Sequence, residues 1–89
     1  MQETKYKIEY NIKVLDQLEG FSHEIKKLIL KSIEKKLTSN PYEFGKPLQY
    51  SLKTYYRLRV GDYRVIYKIF EKEVIVLIIE IGHRREIYD

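Results

Sequence analysis

The sequence contains no cysteine, and its apolar runs are short. The lack of cysteine excludes a disulfide framework, a thiol nucleophile and a zinc–thiolate site. The longest apolar run, Val74–Ile79, is far shorter than the ~20 residues with which a helix crosses a bilayer. The chain does not begin with a cationic and then apolar leader, so we expect no signal peptide, a cytoplasmic location and no membrane partner.

Motifs for metal and nucleotide sites are also missing. The carboxylates are scattered, and no group of His, Asp and Glu has the spacing of metal ligands. The sequence has no glycine-rich loop that could cradle a phosphate and no nucleophile elbow. We therefore expect neither a metal site nor a cofactor.

What remains is a small and moderately basic chain. Its 89 residues are 44% hydrophobic and 34% charged, which predicts one globular domain over residues 1–89. The net charge is +4, and all five arginines lie in the second half. Arginines bind phosphates and tyrosines stack on bases, so this half is typical of a nucleic-acid-binding surface. The alternative is a solvated basic face whose tyrosines are strand formers.

Periodicity predicts one strand and two helices in the first half. Lys5–Tyr10 alternates as a half-buried strand, and Asn11 caps a helix over Ile12–Glu19 that Gly20 ends. Ser22 caps a longer helix, which Asn40-Pro41 stops and which a loop follows. The apolar stripe of this second helix consists of Ile25, Leu28, Ile29, Ile33 and Leu37.

The second half predicts three strands, Tyr55–Val60, Tyr63–Phe70 and Val74–Ile81. The first two are joined by Gly61-Asp62, which suits a two-residue hairpin turn. The order strand, helix, helix, strand, strand, strand indicates an α+β fold. We expect one small domain whose mostly antiparallel sheet carries the N-terminal helical hairpin on one face.

The two-residue turn fixes which residues face each other across the hairpin. Alternation then sorts the side chains to two faces. The core face receives Tyr56, Leu58, Val60, Tyr63, Val65 and Tyr67. The open face receives Tyr55, Arg57, Arg59, Arg64, Ile66 and Lys68. Arg59 lies directly across from Arg64, and because facing like charges destabilise a sheet, the pair indicates a bound anion. The alternative is that the arginines splay into solvent or pair with Glu80 or Glu86.

The C-terminal residues carry side chains suited to phosphodiester cleavage. His83 exchanges a proton near neutral pH, and Arg84 and Arg85 stabilise negative charge on a phosphate. Tyr88 stacks on a base or orients a hydroxyl. The alternative is a solvated tail.

Two segments together resemble the RelE branch of the RelE/ParE toxin superfamily. They are YRLRVGDYRVIY at Tyr56–Tyr67 and IGHRREIY at Ile81–Tyr88, and the resemblance covers nearly the whole chain. It implies the toxin of a type II toxin–antitoxin system, a metal-independent endoribonuclease that cleaves mRNA codons in the A site of the 70S ribosome. The 2′-hydroxyl would attack the adjacent phosphate to give a 2′,3′-cyclic phosphate. The implied partner is a RelB-like antitoxin, with operator DNA bound only through the antitoxin complex.

The resemblance also implies roles for individual residues. Arg57 and Arg59 match two basic sheet residues that are lysines in the best-known RelE pattern. Arg64 matches the phosphate-binding arginine, Arg84 the proposed general acid, and Tyr88 the residue that stacks on the substrate. An arginine almost never deprotonates, so the role of general base passes from position 59 to His83. Further RNA contacts are expected from Lys53, Tyr55, Lys68 and Arg85.

Two other functions fit the same fold. A ParE-like protein would inhibit DNA gyrase by binding, although the His, Arg and Tyr ending is untypical of that branch. A module without the lysine base would only bind an antitoxin.

Overall fold

The computed structural model describes residues 5–47, 55–83 and 85. Its elements form a five-stranded sheet in the order β1-β5-β4-β3-β2, in which β1 and β5 are parallel and the other pairs antiparallel. The predicted α+β fold with a mostly antiparallel sheet is confirmed. The elements are β1 (Lys7–Tyr10), α1 (Ile12–Glu19), α2 (His23–Leu37), α3 (Pro41–Phe44), β2 (Lys46–Pro47), β3 (Tyr56–Val60), β4 (Tyr63–Phe70) and β5 (Ile75–His83).

Both long helices begin at the predicted caps. The Asn11 side chain accepts a hydrogen bond from Val14 N at 2.9 Å, and Ser22 Oγ accepts one from Ile25 N at 3.3 Å. These bonds satisfy backbone donors that the first turn of a helix leaves without a partner. The predicted bounds of α1 are therefore confirmed, and α2 starts directly after its predicted cap.

The apolar stripe of α2 is narrower than the sequence predicts. Ile29, Ile33 and Leu37 are fully buried, whereas Leu28 is 48% exposed. Neighbouring residues are turned by about 100° around a helix axis, so Leu28 points away from Ile29, whereas Ile25 is partly buried against the core as predicted. Leu30, on the other side, is partly buried against the core.

The segment predicted as a loop contains two short elements, α3 and β2. Pro41 occupies the start of α3, where its missing N–H costs nothing. Its carbonyl oxygen accepts a hydrogen bond from the hydroxyl of the buried Tyr67. A Cβ on Gly45 would collide with that same hydroxyl, so only glycine lets the chain pass Tyr67 into β2. The ring of Tyr67 on the central strand β4 thus determines the path by which the chain enters the edge strand β2.

Helix α1 covers the edge of β5 where β1 ends. β1 pairs with β5 only as far as Tyr10 opposite Ile78, and a bulge follows at Ile79. Beyond that point Asn11 Nδ2 donates to Ile79 O at 3.1 Å, and Ile81 N donates to Gln17 Oε1 at 2.8 Å. Side chains of α1 and of its cap, Asn11, therefore form hydrogen bonds with backbone groups that β5 would otherwise expose at the edge of the sheet.

The hydrophobic core lies between the helices and one face of the sheet. Its buried members from the helices are Val14, Leu18, Ile29, Ile33 and Leu37. Its buried members from the sheet are Leu58, Val60, Val65, Tyr67, Val76, Ile78 and Ile81. This arrangement confirms the predicted core face of the hairpin and leaves the alternate residues of β3 and β4 on the opposite face. In the part of the chain that the structure describes, no helix is long and apolar enough to cross a membrane.

Candidate nucleic-acid interface

The β3–β4 hairpin places two arginines directly opposite each other. Gly61 has φ of +60° in the turn, a conformation that glycine adopts without strain. The register pairs Val60 with Tyr63, and Arg59 with Arg64, as predicted. Facing side chains of neighbouring strands lie within reach of each other, so two positive charges meet on one face. In the structure the open face also carries Lys46 of β2, beside Arg57, Arg59, Arg64, Ile66 and Lys68.

On the open face, residues that are paired across neighbouring strands form two rows. One row runs from Lys46 on β2 through Arg57 and Ile66 to Glu80 on β5. The next row runs from Arg59 through Arg64 to Gly82. Gly82 adds no side chain to this row and is itself buried, so the two charges of the row are those of Arg59 and Arg64.

An almost buried isoleucine lies among the arginines of the open face. Ile66 is only 7% exposed, although it lies on the open face. Its neighbours in the register are Arg57 across the hairpin and Arg64 two residues back on β4. Long basic side chains cover apolar surface with their methylene stems and keep the charged heads in water. Ile66 therefore provides a floor against which these stems can pack.

The open face concentrates positive charge. Partial burial lowers the pKa of Arg57, and repulsion from Arg59 and Arg64 lowers it further. A guanidinium nevertheless stays protonated in a protein, so the lowered pKa reflects burial first and repulsion second, and Arg57 keeps its charge. Of the two carboxylates that the sequence offers as partners, Glu80 binds Lys13 at 3.3 Å, and Glu86 lies outside the described residues. Arg57 and Arg64 make further contacts, and a bound anion would lower the repulsion among the three guanidiniums.

His83 lies on the other face of the sheet. It pairs with Tyr63, a core-face residue, and the two rings make an edge contact with centroids 5.5 Å apart. Phe21, Tyr63, His83 and Arg85 line an open cleft of about 410 Å³. The residue that faces Arg64 is Gly82. The structure therefore does not bring His83 together with the arginines, contrary to the site expected from the sequence.

The hydrogen bond at Nδ1 bears on which nitrogen of His83 could act as a base. Arg85 N donates to His83 Nδ1 at 3.2 Å, so a neutral imidazole in this arrangement carries its proton on Nε2. A base needs a lone pair on the nitrogen that meets the substrate. Action at Nε2 would require the proton to move to Nδ1, which would break the bond from Arg85 N.

The remaining candidate residues are distributed around the same sheet. Lys68 lies on the open face, with its ammonium 5.2 Å from the centroid of the Phe70 ring. Tyr55 is half-buried just before β3, and Arg85 is exposed after β5. Three further candidates, Lys53, Arg84 and Tyr88, lie outside the described residues. Within residues 5–47, 55–83 and 85, no three His, Asp or Glu side chains cluster as metal ligands.

Lys46 belongs to the open face but was not among the predicted site residues. It reaches that face because β2 pairs with β3 and sets Lys46 opposite Arg57. A strand of two residues has no alternation from which it could be predicted. In the sequence Lys46 lies between Gly45 and Pro47, two residues that are typical of a loop and that do not indicate a strand.

Comparison with known proteins relates this geometry to one family. A family model described as the ParE toxin of type II toxin–antitoxin systems, parDE, matches residues 8–88. Toxin RelG of Mycobacterium tuberculosis is 36% identical over 52 residues, 58% of this chain and 60% of that protein. Toxin RelE of the same species is 42% identical over 52 residues, 58% of this chain and 54% of that protein. The matched region thus spans less than two thirds of these curated relatives.

Solved structures share the fold across most of the chain. One is a toxin–antitoxin complex, RelBE2 of Mycobacterium tuberculosis, with a TM-score of 0.85 and 24% identity over 93% of this chain and 95% of that chain. The isolated RelE toxin of E. coli gives a TM-score of 0.72 and 20% identity, over 88% of this chain and 83% of that chain. At these identities the likeness concerns the fold.

Proposed function

The chain belongs to the ParE toxin family of type II toxin–antitoxin systems, within the RelE/ParE superfamily, and from this premise we propose that it is a ribosome-dependent mRNA endonuclease. The observation that carries the proposal is the arginine pair on the open face. Arg59 faces Arg64, and Arg57 adds a third guanidinium whose pKa is lowered by partial burial and by both neighbours. Guanidinium groups bind phosphate oxygens bidentately, so this face suits an RNA backbone.

The proposed reaction is a transesterification within one RNA strand. The 2′-oxygen bonds to the adjacent phosphorus, and the bond from phosphorus to the 5′-oxygen breaks. The hydroxyl proton leaves the 2′-oxygen, and the departing 5′-oxygen gains a proton. The products are a 2′,3′-cyclic phosphate and a 5′-hydroxyl. Arg59 and Arg64 would stabilise the negative charge that develops on the non-bridging oxygens, a task that protonated guanidiniums perform without a metal ion.

We assign the proton transfer to the substrate itself and not to His83: a non-bridging oxygen of the attacked phosphate takes the proton from the 2′-hydroxyl and passes it to the departing 5′-oxygen. His83 lies beside Tyr63 and Phe21 on the face opposite the arginine pair, so its ring can contact only a nucleotide that passes around the end of the hairpin. We therefore expect His83→Ala to lower cleavage while leaving the shape of the rate profile between about pH 6 and 8 unchanged. Loss of the acidic limb of the profile would show that His83 is a base whose ring changes its proton position.

A RelB-like antitoxin is the proposed partner. RelBE2 of Mycobacterium tuberculosis and RelBE of E. coli are toxin–antitoxin complexes whose toxin chains share this fold. A neutralising partner should place carboxylates near Arg57, Arg59 and Arg64, because opposite charges favour association and exclude RNA from the open face. Co-expression with the antitoxin should restore growth that the chain alone arrests.

Primer extension on mRNA in a translating extract tests the proposed activity. The wild-type chain should produce new 5′ ends at A-site codons, and Arg64→Ala should remove most of them. Lys27→Ala is the matched control, because Lys27 is an exposed cation on α2 away from the open face. Cleavage in the absence of ribosomes, or no cleavage by the wild-type chain, would contradict the proposal.

A second candidate function is favoured by the description of the matched family, which is named for ParE. A ParE-like toxin would inhibit DNA gyrase by binding it. A supercoiling assay with purified gyrase separates the two functions: inhibition without mRNA cleavage would support the gyrase target. A third outcome is that the chain does not cleave mRNA, does not inhibit gyrase and does not arrest growth. The chain would then be a module that only binds an antitoxin.

A further inference from the structure

A small pocket lies beside the arginine pair, at the edge of the sheet. It has a volume of about 180 Å³ and is lined by Lys36, Phe44, Lys46, Arg57, Leu58 and Arg59. The lining comes from the last turn of α2, from α3, from β2 and from β3. Four of the six lining residues are cations and none is an acid. A cleft with charges of one sign focuses the field and raises the local concentration of the opposite ion.

Two of these cations are brought to the pocket by specific local structure. The Lys36 ammonium lies 5.7 Å from the centroid of the Phe44 ring, which holds the end of α2 near α3. Lys46 is placed opposite Arg57 by the pairing of β2 with β3. Among the described residues, the ion pairs join Lys13 with Glu80 and Lys26 with Glu19, so neither Lys36 nor Lys46 is neutralised by one of them.

The pocket continues the arginine pair along β3. Arg57 and Arg59 are two residues apart on a strand, a separation of about 6.6 Å. This is close to the spacing of successive phosphates in a stretched nucleic-acid strand. If Arg59 and Arg64 hold the scissile phosphate, Arg57 and the two lysines can meet the phosphate of a neighbouring nucleotide.

We propose that Lys36, Lys46 and Arg57 form a second phosphate subsite, which binds the RNA backbone next to the cleavage position. The subsite rests on the proposed function for the identity of its ligand. It extends the binding surface from the hairpin to α2 and explains why cations from separated parts of the chain meet at one pocket. An acidic segment of an antitoxin is the competing ligand for the same charges.

The salt dependence of RNA binding tests the subsite. The probe is a single-stranded RNA with 2′-O-methyl riboses, which the proposed reaction cannot cleave, and fluorescence anisotropy reports its binding to the full chain freed of antitoxin. Each phosphate contact to a single strand contributes about 0.7 to the slope of log K against log salt. The double variant K36Q/K46Q should therefore lower the magnitude of the slope by about 0.7 to 1.4.

Two further variants make the result specific. K27Q/K31Q removes the same charge from α2 positions that do not line the pocket, and it should leave the slope unchanged. Lys46→Arg keeps the charge and should preserve the slope. Thermal unfolding of each variant confirms that it is folded before binding is measured.

The outcomes separate the subsite from the proposed function. If the wild-type chain binds and cleaves mRNA while K36Q/K46Q keeps the full slope, the subsite is overturned and the nuclease stands. If K36Q/K46Q weakens only the complex with the antitoxin, the pocket serves the antitoxin and the subsite is again overturned. If the wild-type chain neither binds the RNA probe nor cleaves mRNA, the proposed function itself fails, and the RNA subsite fails with it.

Discussion

The two faces of the β3–β4 hairpin are built from alternate residues of the same strands, yet one buries apolar side chains and the other gathers positive charges. Leu58 and Val65 face each other in a core from which water is excluded. One residue further along each pairing, Arg59 faces Arg64. The first pair stabilises the sheet through buried apolar surface, and the second pair opposes it through repulsion. The open face lowers the stability of the sheet but holds its charged side chains in a defined arrangement. We therefore place the function on the open face.

Substitution of Ile78 tests the core face and should have the largest effect. Ile78 is fully buried on β5, and removal of most of a buried isoleucine side chain costs about 2–5 kcal/mol. Ile78→Ala should therefore lower the free energy of unfolding by that amount in urea titrations. Leu77→Ala is the matched control, since Leu77 is half-exposed on the other face of the same strand. Equal losses for the two variants would mean that the faces do not differ as the structure shows.

Substitution of Arg64 tests the open face in the opposite way. Removal of a group that stabilises charge in the transition state typically costs about 10²–10³-fold in rate. Arg64→Ala should lower mRNA cleavage by that factor in single-turnover assays on ribosomes. Its free energy of unfolding should fall by less than that of Ile78→Ala, because Arg64 is only half-buried. A loss of activity matched by a loss of stability would make Arg64 a structural residue.

Most of the core face could be predicted from the sequence because alternation and a two-residue turn determine it. The turn at Gly61 sets the register, and the register assigns every residue of β3 and β4 to a face. The cap at Asn11 is equally local, since a side chain binds a backbone group three residues away. These features depend on neighbours in the sequence, so a reading of the sequence can find them.

Features that depend on distant residues were predicted less well. The pocket at Lys46 requires β2, and the approach to β2 depends on contact between Gly45 and Tyr67, which lie far apart in the sequence. His83 was placed with the arginines because it is close to Arg84 in the sequence, but pairing with Tyr63 assigns it to the other face. Closeness along a strand does not put two side chains on one face.

Tyr67 tests the connection between the core and the edge of the open face. Burial raises the pKa of Tyr67, and its hydroxyl donates to the carbonyl oxygen of Pro41. Tyr67→Phe would leave that carbonyl without this donor, which costs about 1–3 kcal/mol in a buried position. Denaturant titration should show this loss, with Tyr56→Phe as the control because Tyr56 is only half-buried. An unchanged midpoint for Tyr67→Phe would show that another donor replaces the hydroxyl.

The smallest expected effect is a gain in stability on the open face. Arg59→Gln keeps most of the length of the side chain but removes one of the two facing charges, so the free energy of unfolding should rise by about 0.2–1 kcal/mol. The same variant should lose cleavage, because the phosphate loses one guanidinium.

A double-mutant cycle with Arg64→Gln isolates the repulsion from the other contacts of each side chain. The coupling should be unfavourable at low salt and shrink near 1 M salt, where exposed charges are screened within about 3 Å. A favourable coupling, or one that salt leaves unchanged, would mean that the two arginines do not repel each other in the free protein. The open face would then lack the repulsion that the proposed phosphate relieves.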